Sequence, residues 1–243
     1  MTEQIKTPSF KPLYQQVKEL MLSRLTERAW EPGEILPSES QLASEFGVSQ
    51  GTVRKALDEL TAENLLRRSQ GRGTFVSEHT TNRSVFHFLN LVDEQGNKQI
   101  PLSKLLSIVK SKATPDEAKA LLLSASAPVI RIQRVRFLNE KPIILETITL
   151  PYSLTPGLET TPAAIPNTLY RHYEKAYGFS VTRATEWLSA ISADSQQAEQ
   201  LDLLEGAPLL CIRRLAFTYN DQPVELRVSV CQTDSHRYLS EMT

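Results

Sequence analysis

Residues 37 to 62 read Pro37-Ser38-Glu39-Ser40-Gln41-Leu42-Ala43-Ser44-Glu45-Phe46-Gly47-Val48-Ser49-Gln50-Gly51-Thr52-Val53-Arg54-Lys55-Ala56-Leu57-Asp58-Glu59-Leu60-Thr61-Ala62. Ser38, with Gln41 three residues on, has the spacing of a capping box, so a short helix starts here and runs through Leu42 and Phe46. Gly47 supplies a left-handed stop. Ser49 can cap the next helix, with Val48 and Val53 flanking the cap like a hydrophobic staple and Val53, Ala56, Leu57 and Leu60 on the buried side. Two helices around a turn of about four residues form a helix-turn-helix, whose second helix lies in the major groove of DNA.

The flanks complete the unit. Upstream, Leu13, Val17, Leu20, Met21 and Leu25 recur with a helical period, which predicts a first helix ending near Trp30, before the turn Glu31-Pro32-Gly33-Glu34. Downstream, Asn64 can end the third helix, and Leu65–Arg68 and Thr74–Val76 read as two strands joined through Ser69-Gln70-Gly71-Arg72-Gly73. Such a hairpin is a wing. Residues 1 to 76 are therefore expected to form a winged helix-turn-helix, with Ser38 and Ser40 opening the second helix and Ser49, Gln50, Gly51 and Thr52 presenting short polar groups and free amides to base edges and phosphates. Gly51 permits close backbone approach. Arg54 and Lys55 extend the cationic surface, and Asp58, Glu59 and Glu63 are expected to face away from the groove. On the wing, Arg67, Arg68 and Arg72 surround Gln70-Gly71, a tip suited to the adjacent minor groove, with Gly73 closing the turn.

The overall charge gives no hint of this. Among 243 residues, 27 Lys+Arg oppose 28 Asp+Glu, a formal net charge of -1, and residues 1 to 77 hold ten of each sign. A uniformly basic, general nucleic-acid binder is excluded; a selective binder with local charge and a modest salt slope is not. No stretch approaches 18 consecutive apolar residues and Met1 to Phe10 lacks an apolar signal core, so a cytoplasmic protein without membrane partners is expected. Cys211 and Cys231 read as reduced thiols, and His79, His87, His172 and His236 show no metal-ligand spacing, so neither metal nor cofactor is expected.

Ser77 to Ser84 is polar without apolar periodicity and reads as a linker before a second domain over residues 85 to 243. That domain repeats itself at an offset of 80 residues: Ala113, Ala118, Leu121, Leu123, Ala127, Pro128, Ile132, Arg134 and Phe137 recur as Ala193, Ala198, Leu201, Leu203, Ala207, Pro208, Ile212, Arg214 and Phe217. Each copy has a short helix, a turn, a strand, a polar turn and a return strand opened by Pro142 or Pro223. Two such units predict one mostly antiparallel sheet with pseudo-twofold character, an α+β fold with flanking helices, and a helix between Thr168 and Tyr177. Along Ile130 to Arg136 the apolar face becomes cationic at Arg134 and Arg136, and a three-residue loop at Asn139 to Lys141 sets Arg134 opposite Glu146. Arg134 and Glu146 either pair to hold the sheet or, with Arg136, bind a polar ligand.

Pro12-Leu13-Tyr14, Leu36-Pro37-Ser38-Glu39, Gly47-Val48-Ser49, Thr52-Val53-Arg54-Lys55-Ala56-Leu57 and Gly71-Arg72-Gly73-Thr74-Phe75-Val76 resemble the DNA-binding domain of GntR-family regulators. Arg134-Val135-Arg136, Pro142, Glu146, Thr168-Leu169-Tyr170, Tyr177-Gly178, Leu203 to Pro208 and Pro223-Val224-Glu225 resemble the UTRA effector domain of the HutC subfamily. The resemblance implies a chorismate-lyase-like fold without lyase activity, and a repressor that dimerises through the C-terminal domain and loses affinity for double-stranded DNA when a small metabolite binds. It further implies that Arg134 and Arg136 hold an anion, Glu146 and Glu225 take hydroxyl groups, and Thr168 adds an anion contact.

Two departures concern the effector. His87, after Phe86, stands where sugar-phosphate sensors carry a hydroxyl residue, and Cys231 where a tyrosine can touch the sugar. A small carboxylate is therefore expected over a sugar phosphate, with His87 either a ligand contact or a packing residue. Two more concern DNA: many relatives carry Arg at the positions of Ser40 and Gln50, and Gln50 in place of Arg predicts an A·T preference. One winged helix reads too few base pairs for specificity, so a homodimer on a palindromic operator is expected. Enzymatic use of the second fold is the rival class, without a nucleophile turn to support it; a protein-docking winged helix is another.

Overall fold

A computed structural model of the chain describes residues 11–79, 90–162 and 165–241. The chain divides into two compact units, one up to Glu78 and one from His79 onward.

In the first unit α1 (Leu13–Thr26), α2 (Glu39–Phe46) and α3 (Gln50–Ala62) precede the hairpin β1 (Leu66–Ser69) and β2 (Gly73–Val76). The caps read from sequence are formed: Ser38 and Gln41 make a reciprocal capping box, Gly47 is left-handed at φ 65°, and Ser49 Oγ accepts from the Thr52 amide. The first helix, by contrast, stops at Thr26, four residues short of Trp30, because Glu27 caps it and Arg28 turns left-handed at φ 57°. Its buried stripe is also narrower than the period suggested. Val17, Met21 and Leu25, spaced by four, are buried, whereas Leu13 and Leu20 are 51% and 52% exposed. The segment after the first turn joins the wing: Ile35 pairs antiparallel with Phe75, and Leu36 donates its amide to the Thr74 carbonyl. Gly73, at φ 115°, takes a backbone conformation that calls for glycine, and a Cβ there would also press to 3.1 Å from Ile35 Cδ1, a contact the half-exposed Ile35 side chain would have to yield to.

The second unit is a six-stranded antiparallel sheet in the order β4-β5-β6-β9-β8-β7, comprising β4 (Leu102–Lys112), β5 (Pro128–Leu138), β6 (Lys141–Pro151), β7 (Arg183–Ser192), β8 (Pro208–Phe217) and β9 (Pro223–Cys231). A two-stranded ribbon pairs β3 (Leu91–Asp93) with β10 (His236–Tyr238). The pseudo-twofold passes between β6 and β9. Its two copies are alike down to the helix caps, Thr114 with Glu117 for α4 (Pro115–Ala120) and Asp194 with Gln197 for α6 (Ser195–Leu201), and to a register shift at Arg136/Phe137 and again at Ala216/Phe217. The repeat also takes in the long edge strands β4 and β7. Their polar alternation gave no such signal in the sequence.

One sheet face carries the helices α4 and α6, anchored by Ala118 and by Ala198 and Leu201. The other is covered by α5 (Leu169–His172), which continues into a π-helical turn over Tyr173–Tyr177, with Tyr170 and Tyr173 packed on Ile130, Ile132, Ile148 and Leu150. The expected loop Asn139 to Lys141 is in fact a two-residue turn, because Leu138 pairs with Lys141. The adjacent shift at Arg136/Phe137 makes up the missing residue, so Arg134 still stands opposite Glu146. Among the described residues no helix is long and apolar enough to cross a membrane.

Candidate DNA interface and effector cavity

On the first unit the N-terminal turn of α3 presents Ser49, Gln50 and Gly51 to solvent, with Thr52 half-buried and its hydroxyl 2.9 Å from Ser49 Oγ. A Cβ on Gly51 would meet nothing nearer than Ser49 Oγ at 3.8 Å, so no internal contact requires glycine here; the open backbone is left for a partner. Ser38 is tied into its capping box and Ser40, Gln70, Gly71 and Arg72 are exposed.

The cations are less free than the sequence suggested. Arg54 donates through Nε and Nη2 to Glu39 Oε2 at 2.9 and 2.7 Å, and Arg68 Nη2 lies 2.7 Å from Asp58. Lys55 sits 3.8 Å over the Tyr14 ring and Arg67 4.6 Å over Phe75. The acids on and just after α3 thus do not simply face away: Asp58 holds a wing arginine, and Glu59 and the capping Glu63 hold Lys18 at 3.0 and 2.5 Å. Sequence spacing places residues on a helix face but does not reveal partners on other elements.

In the second unit the pairing register builds the candidate site row by row. Arg214 stands beside Arg227, Ser229 beside both Glu146 and Ile212, Glu146 beside Arg134, and Cys231 beside Ile144, all on the face that also carries Arg136. Arg134 Nε donates to Glu146 at 2.5 Å; Arg227 Nη1 and Arg136 Nη1 approach the other oxygen of Glu146 at 3.4 and 3.6 Å. Arg227 also forks onto Glu225 with two bonds of 2.9 Å, and Glu225 accepts from the hydroxyls of Tyr170 at 3.1 Å and Tyr173 at 2.8 Å. Arg214 Nε donates to Glu186 at 2.6 Å, and the Tyr238 hydroxyl donates to the other oxygen of Glu186.

Among the described residues four guanidiniums therefore meet three carboxylates in this cluster, and Arg136 is the poorly matched one: its Nε is buried without a hydrogen-bond partner. Burial, with Arg134 and Arg227 nearby and Glu146 opposing them, pushes Arg136 down to about 10. Burial by itself would raise the Glu146 carboxyl, but Arg134, Arg227 and Arg136 overcome it and hold the group well below the usual carboxylate range. Arg136, Arg214, Arg227, Glu146, Ser229 and Cys231 line a cavity closed by Asn90, Leu91 and Tyr238, with room of about 20 Å³, enough for one water molecule. The Cys231 thiol is pushed up by burial and by Glu146, which leaves it unreactive.

Of the effector candidates read from sequence, Arg136, Glu146 and Cys231 meet at this cavity. Arg134 lies behind it, bonded to Glu146 and to the Asn167 carbonyl at 3.2 Å, and Glu225 is fully buried beneath Arg227. Thr168, half-buried, precedes α5 outside the cavity lining. Phe86 and His87 lie outside the described residues. Sequence reasoning missed Arg214, Arg227, Glu186, Tyr238 and Asn90, although the repeat had already set Arg214 in the place of Arg134. No group of three or more residues suited to a metal ion occurs among the described residues.

Residues 13–76 match the model of the bacterial regulatory proteins of the gntR family, and residues 95–237 match that of the UTRA domain. The chain is 29% identical over 232 residues to the HTH-type transcriptional repressor NagR of Bacillus subtilis, covering 95% of each chain. It is 30% identical over 230 residues to the histidine utilization repressor of Pseudomonas putida, covering 93% of this chain and 90% of that one. Among solved structures, the ligand-binding domain of a Bordetella bronchiseptica protein assigned to the GntR family aligns with a TM-score of 0.61 at 30% identity, covering 64% of this chain and 98% of that one. With both domains matched and relatives aligned over nearly the whole length, the chain belongs to the HutC subfamily of the GntR family, the DNA-binding transcriptional repressors that join a winged helix-turn-helix to a UTRA domain.

Proposed function

We propose that this repressor holds a palindromic operator as a homodimer and leaves it when a small anionic metabolite, a carboxylate in preference to a sugar phosphate, enters the cavity beside Arg136. The observation that carries the proposal is the buried Arg136 guanidinium with its unpartnered Nε, in a cluster whose described residues include one more cation than anion. A carboxylate supplies the single negative charge and planar pair of acceptors that such a group lacks. A dianionic phosphate would meet Glu146 in the cavity lining, with Arg136 the one incompletely paired cation among the described residues to offset both charges. One relative is named for the utilisation of histidine, itself a carboxylate.

A cavity with room of about 20 Å³ cannot take a metabolite without opening, so binding selects a state in which the ribbon residues Asn90, Leu91 and Tyr238 have moved. Hydrogen bonds lead from there toward the linker. Glu146 touches Arg227, Arg227 holds Glu225, Glu225 holds Tyr170 and Tyr173, and the Tyr170 ring meets His79 edge-on at 5.5 Å. His79, placed by its sequence in a free linker, is buried: its amide donates to Glu174 at 2.9 Å and its Nε2 lies 2.7 Å from the Val181 carbonyl. Rearrangement of the arginine cluster would thus reach the chain three residues beyond the wing strand and move the recognition helices off half-site spacing. The test is operator release, followed by fluorescence anisotropy, for wild-type protein and Arg136→Gln across small carboxylates and sugar phosphates. Release by carboxylates that Arg136→Gln abolishes supports the reading; release by sugar phosphates alone refutes the effector class.

A further inference from the structure

Glu39 is the first residue of α2, where a carboxylate also suits the helix dipole, yet its side chain is turned to two other elements. Oε2 accepts both Nε and Nη2 of Arg54 on α3, and Oε1 lies 3.8 Å from Nη2 of Arg68 on β1. Arg68 Nη2 in turn bonds Asp58, four residues after Arg54 on α3. The result is an electrically neutral chain of ion pairs, Arg54–Glu39–Arg68–Asp58, which ties the second helix, the recognition helix and the wing together. It lies on the surface: Arg54 and Arg68 side chains are 60% and 44% exposed.

We infer that Glu39 is a specificity-determining residue for DNA: it occupies one edge of the Arg54 guanidinium and masks the charge of Arg54 and Arg68 until a matching site displaces it. The chemistry follows from geometry. A guanidinium whose Nε and Nη2 are both given to one carboxylate oxygen cannot turn that edge to guanine O6 and N7, so Arg54 in this state keeps only its end-on Nη1–Nη2 edge for a phosphate or base, and its charge is already half-neutralised. With Glu39 and Asp58 in place, neither cation releases a full counterion from nonspecific DNA, and background binding stays low. Surface ion pairs are too weak to resist a well-placed phosphate, which makes the mask reversible.

The test uses the full chain in two assays, anisotropy on a random-sequence 30-base-pair duplex pool over a salt series, and binding-site selection from the same pool. Glu39→Gln is compared with Glu45→Gln, an equal charge change on the same helix at a residue paired with Arg24 instead. Glu39→Gln should raise affinity for the random pool about threefold to tenfold and steepen the log–log salt slope by about 0.9 to 1.8, one to two phosphates, while Glu45→Gln moves neither by half as much. Selected sites should gain guanine at the Arg54 contact, and the gain should vanish in Glu39→Gln/Arg54→Gln. Equal effects of Glu39→Gln and Glu45→Gln, or an unchanged slope and base preference, would overturn the inference. A fall in melting temperature with unchanged slope would also overturn it, leaving Glu39 a purely structural residue.

Discussion

Glu225 and Arg227 stand two residues apart on the same face of β9, joined by two hydrogen bonds of 2.9 Å from Arg227 Nε and Nη2 to the two carboxylate oxygens. The pair is the midpoint between the cavity and the linker, because Arg227 also reaches Glu146 while Glu225 takes the hydroxyls of Tyr170 and Tyr173. Tyr173→Phe keeps the ring in the core but removes one of these bonds, a loss of about 1 kcal/mol. Effector affinity measured by calorimetry should change little, whereas the effector concentration needed for half-release of operator should rise about fivefold, the equivalent of that energy. Parallel shifts in both would place Tyr173 in binding alone.

Arg134 and Arg136 should respond oppositely to substitution. Arg134→Met strips Glu146 of its 2.5 Å partner in a fully buried site and should cost about 3 kcal/mol. Arg136→Met removes a cation that burial already disfavours and should leave stability unchanged or raise it by up to about 1 kcal/mol, while effector response is lost. Thermal unfolding of the two variants separates these outcomes.

The pH profile distinguishes arginine from histidine as the anion anchor. Arg136 keeps its proton up to about pH 10, so effector affinity should be flat from about pH 7 to 9 and fall as pH rises through about 10. The stability sign is the reverse. Since the folded state holds this proton less tightly than the unfolded chain, Arg136 opposes folding in full below its folded pKa, and this penalty is relieved progressively as pH rises from that value towards the ordinary arginine pKa. Glu146, held well below the usual carboxylate range, contributes stability fully present above the ordinary carboxylate pKa and lost progressively as pH falls from there through its depressed folded value. A midpoint of effector binding between pH 6 and 7 in calorimetry would implicate a histidine instead.

Gln50 opens α3 and is exposed, where glutamine pairs with adenine as arginine does with guanine. Gln50→Arg should convert an A·T preference to G·C at one position per half-site in a binding-site selection, with discrimination of about 1–3 kcal/mol. An unchanged base preference would remove Gln50 from the readout.

The parts of the fold legible in the sequence were those written in local spacing. Ser38 with Gln41, Gly47 and Ser49 mark the helix-turn-helix because caps act within three or four residues, and period-two alternation sets Arg134 opposite Glu146 because the shorter turn and the shift at Arg136/Phe137 offset each other. The internal repeat carried the sheet's pseudo-twofold for the same reason. Partnerships between distant segments left no such trace. Arg68 with Asp58, Arg54 with Glu39, and Glu186 with Arg214 and Tyr238 join elements whose proximity only tertiary packing creates. Arg227 was the nearest miss, since it shares a strand face with Glu225, two residues away, and the alternation that exposed Arg134 and Arg136 applied equally there.

The most direct measurement is ligand-induced thermal stabilisation of the full chain, wild type and Arg136→Gln side by side, across matched panels of small carboxylates and sugar phosphates, with operator anisotropy on every hit. The expected result is at least one carboxylate that raises the wild-type melting temperature, releases the operator, and does neither with Arg136→Gln. Stabilisation and release by sugar phosphates alone, or by a carboxylate acting equally on Arg136→Gln, would contradict the assignment of Arg136 as the anchor.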